Sequence, residues 1–174
     1  MIRNILIGTA LATLAMNPAL AQEINVKLGV LNDRSGVYAD LSGEGSVIAA
    51  QMAVEDFKAA DKGMKVEIIS ADHQNKPDIG SSIARKWYDE EGVNAILDVP
   101  TSSVALAVAD IPAEKNGVLI NSGAGSTELT QGQCKPTTIH WTYDTAALAN
   151  GTGKALTDAG GKKWFFITAD YAFG

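Results

Sequence analysis

Short apolar runs that alternate with helical patterns constrain the fold of this chain most strongly. Continuous apolar runs rich in β-branched residues are typical of strands that are buried on both faces of a sheet. Because strand, helix and strand at this spacing imply right-handed crossovers, the sequence predicts an α/β fold with a doubly wound parallel sheet. The four runs that follow this pattern cover residues 26–31, 66–70, 95–99 and 118–121.

The segments between these runs have the hydrophobic period of helices that pack on a sheet. The second helix is expected over residues 78–91, with Gly92 at the position of a left-handed C-terminal residue. The third is expected over 103–116, and Pro112 should bend it or end it early. The three apolar stripes are Val47, Ala50, Val54 and Phe57; Ile79, Ile83 and Trp87; and Val104, Val108 and Ile111.

The pattern continues into a further helix over residues 145–159 and an apolar strand over 164–169. It stops at Gly174 without a helix to cover that last strand. A hydrophobic strand with no covering layer is poorly buried, so we expect the sequence to be a fragment of a longer protein.

The N-terminus has the three parts of a cleavable export signal. Arg3 supplies a positive charge, residues 5–16 form a short apolar core, and Ala19 and Ala21 are the small residues that a signal peptidase reads. A membrane anchor is the alternative, but the apolar run is shorter than the roughly 20 residues of a spanning helix. We therefore expect a signal peptide over 1–21 and a freely soluble exported protein.

Charge and cysteine content limit the partners of the chain. The net charge is −6, and removal of the signal would take away one more positive charge. This balance argues against nucleic acids and anionic membranes as partners. The single cysteine, Cys134, is unusual for an exported protein, and it is either a buried free thiol or lacks its partner.

Polar loops follow the predicted strands, and the two most informative ones cover residues 100–103 and 121–127. In an open parallel sheet, ligands bind beyond the carboxyl ends of the strands. A helix start with free N–H groups and a neighbouring hydroxyl is suited to bind a carboxylate. The alternative is ordinary capping of helices by Ser and Thr. The functional interpretation is favoured because both loops belong to the same edge of the sheet.

Four stretches resemble one known family in their order and spacing. They read KLGVLNDRSGVYADLSGEGSVIAAQMAVEDF, ARKWYDEEGVNAILDVPTSSVALAV, GVLINSGAGSTELT and KKWFFITADYAFG, and they cover nearly all of the chain after the signal. Together they resemble the type I periplasmic binding proteins, specifically the branched-chain amino acid receptors of ABC importers. This resemblance implies a first lobe over residues 22–143, a hinge near 141–144 and the beginning of a second lobe over 144–174.

The resemblance also implies a ligand site between the two lobes. Hydroxyls and amides after the third strand would hold a ligand carboxylate, the loop after the fourth strand would add contacts, and an aromatic residue of the second lobe would close over the ligand. The implied ligand-binding residues are Ser102, Ser103, Ala124, Ser126, Tyr171 and Tyr38.

The implied function is a periplasmic receptor that captures a small carboxylate-bearing solute by hinge closure and presents it to an inner-membrane ABC permease. The solute would be an amino acid, an amide or an aromatic acid, and the full-length receptor would be a monomer without cofactor or metal. Trp141 would line an aromatic pocket or, alternatively, serve as a hinge or core aromatic.

Two rival functions remain open at this point. A hydrolase would have to place His73 or His140 beside a serine, yet the sequence has no nucleophile-elbow, phosphate-loop or zinc-protease motif. No metal-ligand spacing is present either. A periplasmic sensor subunit of the same fold is the second rival. We expect a binding protein with no catalytic residues.

Overall fold

Five parallel strands form one sheet in residues 23–174, the part of the chain that this computed structural model describes. The strands lie in the order β2-β1-β3-β4-β5, and every neighbouring pair is parallel. The predicted α/β fold with a parallel sheet is thereby confirmed. The predicted signal peptide lies outside the described residues. The strands are β1 (Ile24–Asn32), β2 (Met64–Asp72), β3 (Ala95–Asp98), β4 (Val118–Asn121) and β5 (Thr138–His140).

Three helices connect the first four strands in turn, and two short helices follow β5. The predicted helix over 145–159 forms as two α-helical pieces joined by a π-helical turn, Ala149–Gly153. In the described part of the chain, no helix is long and apolar enough to cross a membrane. The helices are α1 (Gly43–Phe57), α2 (Pro77–Asp89), α3 (Ser102–Lys115), α4 (Thr145–Leu148) and α5 (Lys154–Asp158).

The hydrophobic core lies between the sheet and the pair α2 and α3. Trp87 of α2 is 4% exposed and covers Gly29 of β1, where a Cβ atom would lie 2.4 Å from the indole ring. The stripe Val104, Val108 and Ile111 of α3 is fully buried, as predicted. The core therefore fixes α3, and with it the loop that precedes α3, against the sheet.

The predicted stripe of α1 is only partly correct. Val47 is buried, but Phe57 at the end of the helix is 54% exposed. An apolar cavity of about 360 Å³ separates the C-terminal half of α1 from the sheet, so Phe57 has few partners to pack against.

The ends of α2 and α3 allow the predictions for Gly92 and Pro112 to be checked. Gly92 has a φ of +69°, which confirms the left-handed position expected after α2. Pro112 does not end α3, since the helix continues to Lys115 and Asn116 then adopts the left-handed conformation. Pro112 and Ile111 are buried, and this packing compensates for the backbone hydrogen bond that a proline lacks.

One further prediction about a single segment is wrong, and for two other residues one of the open alternatives is excluded. Residues 164–169 form no strand, and Phe165 and Ile167 are 88% and 91% exposed, because no neighbouring strand in the described chain offers a hydrogen-bonding ladder. Cys134 is exposed rather than buried, because it lies in the polar turn before β5. Trp141 is 77% exposed, which excludes a core aromatic, because it directly follows the edge strand β5.

Candidate functional site

Polar residues form a row at the carboxyl ends of the strands, along one edge of the sheet. Asn32 pairs with Asp72 in the register of β1 and β2, and Asp98 pairs with Asn121 in that of β3 and β4. His140 continues the row beside Asn121. Sequence reasoning selected the loops beyond this row but did not identify Asn32, Asp98 and Asn121. The available signal was an Asn or Asp within two residues of the end of each apolar run.

The turn after β3 aims the chain toward α3. Asp98 and Val99 have φ angles of 78° and 53°. The Asn121 amide donates to both of their carbonyls at 2.9 Å, and the Asn32 amide donates to the Asp98 carboxylate at 3.2 Å. All four side chains are at most 5% exposed. This buried network sets the direction in which α3 begins.

The first turn of α3 keeps backbone N–H groups available. Thr101 occupies the N-cap position without a side-chain capping bond, because its hydroxyl donates to Asn75 instead. The Ser102 hydroxyl oxygen accepts a hydrogen bond from the Ser126 backbone at 3.2 Å. Two of the predicted ligand residues, Ser102 and Ser126, therefore lie in contact, and Ser103 follows them on α3, half-buried.

The loop after β4 is held by its own hydrogen bonds. The Ala124 carbonyl contacts His140 Nε2 at 2.6 Å, and the Ser126 hydroxyl accepts from the Glu128 backbone at 3.3 Å. Ser126 is thus the N-cap of a short 3₁₀ helix, Thr127–Leu129, as the ordinary-capping alternative expects. Ala124 and Ser126 are buried, so this loop presents backbone more than side chains to the edge of the sheet.

The loop after β1 brings Tyr38 to the segment that follows α5. Buried Asp33 accepts from the backbones of Gly36 and Tyr38 at 2.8 and 2.9 Å and from the Asn75 amide at 2.8 Å. The Tyr38 and Tyr171 hydroxyls lie 2.5 Å apart. Burial, together with the hydrogen bond to Tyr38, raises the pKa of Tyr171 above its ordinary value. Tyr38 and Tyr171 therefore form a second contacting pair among the predicted ligand residues.

A second aromatic residue of the same segment reaches the loop after β4. Phe173 stacks on Tyr171 with the ring centroids 6.3 Å apart. A Cβ atom on Gly125 would lie 3.0 Å from the Phe173 ring and 3.1 Å from the Tyr143 ring. The glycine thus lets two aromatic rings approach the backbone next to Ser126, which connects the two contacting pairs.

A cavity of about 200 Å³ opens at the same edge, between the start of α1 and the chain after β5. Its polar lining comes from Ser42, Ser46, Asp98, Ser122 and Thr142. The larger apolar cavity beside α1 is lined on its sheet side mainly by the amino-terminal halves of β1 and β2, away from the polar residues at their carboxyl ends. We therefore place the candidate site at the polar edge and not in the larger cavity.

The two histidines have structural partners rather than serine partners. Burial lowers the pKa of His73, although Asp33, Asp72 and Asp98 oppose this effect. Its Nδ1 atom accepts from the Asn75 backbone at 3.0 Å. Among the hydrogen bonds of residues 23–174, neither histidine ring contacts a serine hydroxyl. The same residues contain no group of three His, Cys, Asp or Glu side chains that could hold a metal ion.

Fold and site together define a class of protein, namely the α/β proteins whose parallel sheet ends in polar loops, and in such open sheets ligands bind beyond the carboxyl ends of the strands. A family model described as periplasmic binding protein matches residues 25–174, and the chain belongs to this family. A comparison with curated proteins gives no match. The predicted resemblance to type I periplasmic binding proteins is confirmed.

Solved structures agree with this family. A periplasmic binding protein from Burkholderia mallei is 50% identical, with a TM-score of 0.82. A branched chain amino acid ABC transporter periplasmic ligand-binding protein from Burkholderia xenovorans LB400 is 38% identical, with a TM-score of 0.76. A solute binding protein of an ABC transporter from Rhodopseudomonas palustris BisB5, in complex with 3,4-dihydroxybenzoic acid, is 24% identical, with a TM-score of 0.78, and supports the fold alone.

Each of these alignments covers 86% of the chain and 40% of the solved protein. The chain therefore spans less than half the length of the structures that it matches. The family is described as periplasmic binding proteins, and the Burkholderia xenovorans relative is a ligand-binding protein of a transporter, which agrees with the expected class of function.

Proposed function

We propose that the chain belongs to an extracytoplasmic receptor that captures a small carboxylate-bearing solute for an ABC permease of the inner membrane. The observation that carries this proposal is the first turn of α3, where N–H groups without a side-chain cap begin beside the contacting pair Ser102 and Ser126. An amino acid, an amide or an aromatic acid is the proposed class of solute.

The first turn of α3 has the chemistry that a carboxylate needs. The N-terminal N–H groups of a helix lack partners within the helix, and the helix dipole places partial positive charge there. In a buried setting, hydrogen bonds from these groups favour an anion over a neutral ligand. Ser103 adds a half-buried hydroxyl, and Ala124 in the facing loop adds its backbone.

Closure of two lobes is the proposed mechanism. The first lobe would cover residues 22–143, the hinge would lie near 141–144, and the second lobe would begin at 144. Tyr38 and Tyr171 would then come from different lobes, and their hydrogen bond would form on closure. A ligand that touches both lobes favours the closed state by the difference in its contacts between the two states.

A thermal-shift screen of the full-length protein tests the proposal. Amino acids, their amides and aromatic acids would each be added, together with the methyl ester of every acid. A ligand at one hundred times its Kd stabilises the folded state by about 2.7 kcal/mol, so the true class should raise the Tm clearly. The methyl esters should have no effect, because they lack the negative charge. Equal stabilisation by an acid and its ester would contradict the carboxylate site.

A further inference from the structure

The turn between β3 and α3 holds two consecutive residues in a conformation that ordinary side chains avoid. Asp98 has a φ of 78° and Val99 a φ of 53°. A left-handed φ is uncommon for any residue with a Cβ atom and is an outlier for a β-branched one. Such strain persists only where surrounding interactions enforce it, and it concentrates at functional sites.

Asn121 supplies the interactions that enforce this conformation. Its Nδ2 atom donates to the carbonyls of Asp98 and Val99, both at 2.9 Å. The side chain is fully buried at the end of β4, in register with Asp98. No other side chain in the described residues donates to these two carbonyls.

The strained turn is joined closely to the start of α3. Pro100 and Thr101 are the residues between Val99 and the helix, and both are buried. Pro100 packs against Gly123, where a Cβ atom would lie 2.6 Å from the Cα atom of Pro100. Because this connection is short and packed, a change in the Val99 backbone must displace Ser102.

We propose that Asn121 is a positioning residue, which holds the Asp98 and Val99 turn in its left-handed conformation and thereby orients the first turn of α3 toward the ligand. The role toward a ligand rests on the proposed function, whereas the role toward α3 does not. Without the Asn121 amide, the Val99 carbonyl loses its side-chain donor, the Asp98 carbonyl keeps only the Ser122 backbone N–H at 3.3 Å, and Val99 relaxes toward an ordinary φ. The contact between Ser102 and Ser126 should then weaken.

Replacing Val99 by glycine distinguishes a positioning role of Asn121 from a merely structural one. Glycine adopts a left-handed φ without steric cost. In Asn121→Ala, the additional change Val99→Gly removes the steric reason for residue 99, the β-branched member of the turn, to relax. The double variant should therefore recover the native turn, even though it also loses a buried valine side chain. A residue that only fills space would not be rescued by deleting a second side chain.

Asn32 offers the matched control. It is also a fully buried asparagine at a strand end, but its amide donates to the Asp98 carboxylate and to the Gly43 carbonyl, not to the carbonyls of the strained turn. In Asn32→Ala, the additional change Val99→Gly should consequently not restore any contact between Ser102 and Ser126 that the first change weakens.

The experiment measures amide hydrogen exchange in the full-length protein, with the Ser126 amide as the reporter because it donates to the Ser102 hydroxyl. Loss of one buried hydrogen-bonding partner should speed exchange at Ser126 by about tenfold in Asn121→Ala. In Asn121→Ala with Val99→Gly, the rate should return to within about threefold of the native rate. Failure of this rescue, or an equal rescue of Asn32→Ala, would overturn the proposal.

Titration of the same variants with isoleucine and with 3,4-dihydroxybenzoate separates this proposal from the proposed function. If exchange is rescued while neither compound binds the native protein, these two solutes are not ligands and the role of Asn121 toward α3 still stands. If the native protein binds one compound, Asn121→Ala should weaken binding by about tenfold and the double variant should recover it. Unchanged binding in Asn121→Ala would overturn the role toward the ligand.

Discussion

Ser102 and Ser103 are neighbours on α3 but differ in the hydrogen bonds of their hydroxyls. The Ser102 hydroxyl accepts from the buried Ser126 backbone, whereas no hydrogen bond of the Ser103 hydroxyl is present in the described residues. Ser102→Ala should therefore weaken both ligand binding and folding, each by about 1–3 kcal/mol, since it leaves a buried donor without a partner. Ser103→Ala should weaken binding alone, by about 1 kcal/mol.

Calorimetric titration and urea denaturation of both variants measure these two effects separately. Ser82→Ala is the control, because Ser82 is an exposed serine on α2, away from the strand ends. It should change neither quantity. Loss of stability in Ser103→Ala, or unchanged affinity in both variants of α3, would contradict the assignment of these hydroxyls.

Residue patterns located the loops of the site but not the buried network beneath them. Ser102 and Ser126 were predicted from their loops and lie in contact. Asn32, Asp98 and Asn121 were missed because their proximity depends on the order of the strands, in which β1 lies between β2 and β3. A single sequence specifies which runs become strands more directly than which strands become neighbours.

At the scale of elements, the packing of α2 on β1 depends on a missing side chain. A Cβ atom on Gly29 would lie 2.4 and 2.5 Å from two carbon atoms of the Trp87 ring, which is buried in the core. The ring cannot move without displacing α2 from the sheet. Gly29→Ala should therefore destabilise the protein by about 1–3 kcal/mol, the usual cost of overpacking.

Gly45→Ala is a matched control for this prediction. Gly45 lies inside α1, and a Cβ atom there would meet no other atom within 4 Å. Alanine in a helix interior should stabilise the protein by roughly 0.5–1 kcal/mol relative to glycine. Denaturant unfolding of both variants should thus give changes of opposite sign, and similar values for the two would show that Trp87 does not restrict Gly29.

The elements that sequence analysis predicted correctly are those with strong local patterns. The four apolar runs became β1 to β4, with bounds within two residues of those expected. The strand β5 was missed because Thr138–His140 has three residues and no apolar run, so that pairing with β4 alone makes it a strand. Residues 164–169 show the converse case, in which an apolar run without a neighbouring strand forms no regular structure.

At the scale of the whole molecule, the proposed mechanism depends on one contact between distant parts of the chain. Tyr38 and Tyr171 are 133 residues apart in sequence, yet their hydroxyls lie 2.5 Å from each other. The sequence suggested each tyrosine separately, through the family resemblance, but no local pattern could bring them together. The contact joins the loop after β1 to the segment that carries Phe173, and Phe173 reaches the loop after β4.

A double-mutant cycle on this pair tests closure in the full-length protein. If the hydrogen bond forms only in the closed, liganded state, Tyr38→Phe and Tyr171→Phe should each weaken binding by about 0.5–1.5 kcal/mol, mainly through faster dissociation. The two changes together should cost no more than either one, because the second removes nothing further. Tyr88→Phe is the control: its hydroxyl donates to the Val118 carbonyl at 2.8 Å within the core, so stability should fall while affinity is kept. Additive effects of the two site variants would show that the hydroxyls act independently, and closure would then have to depend on other contacts.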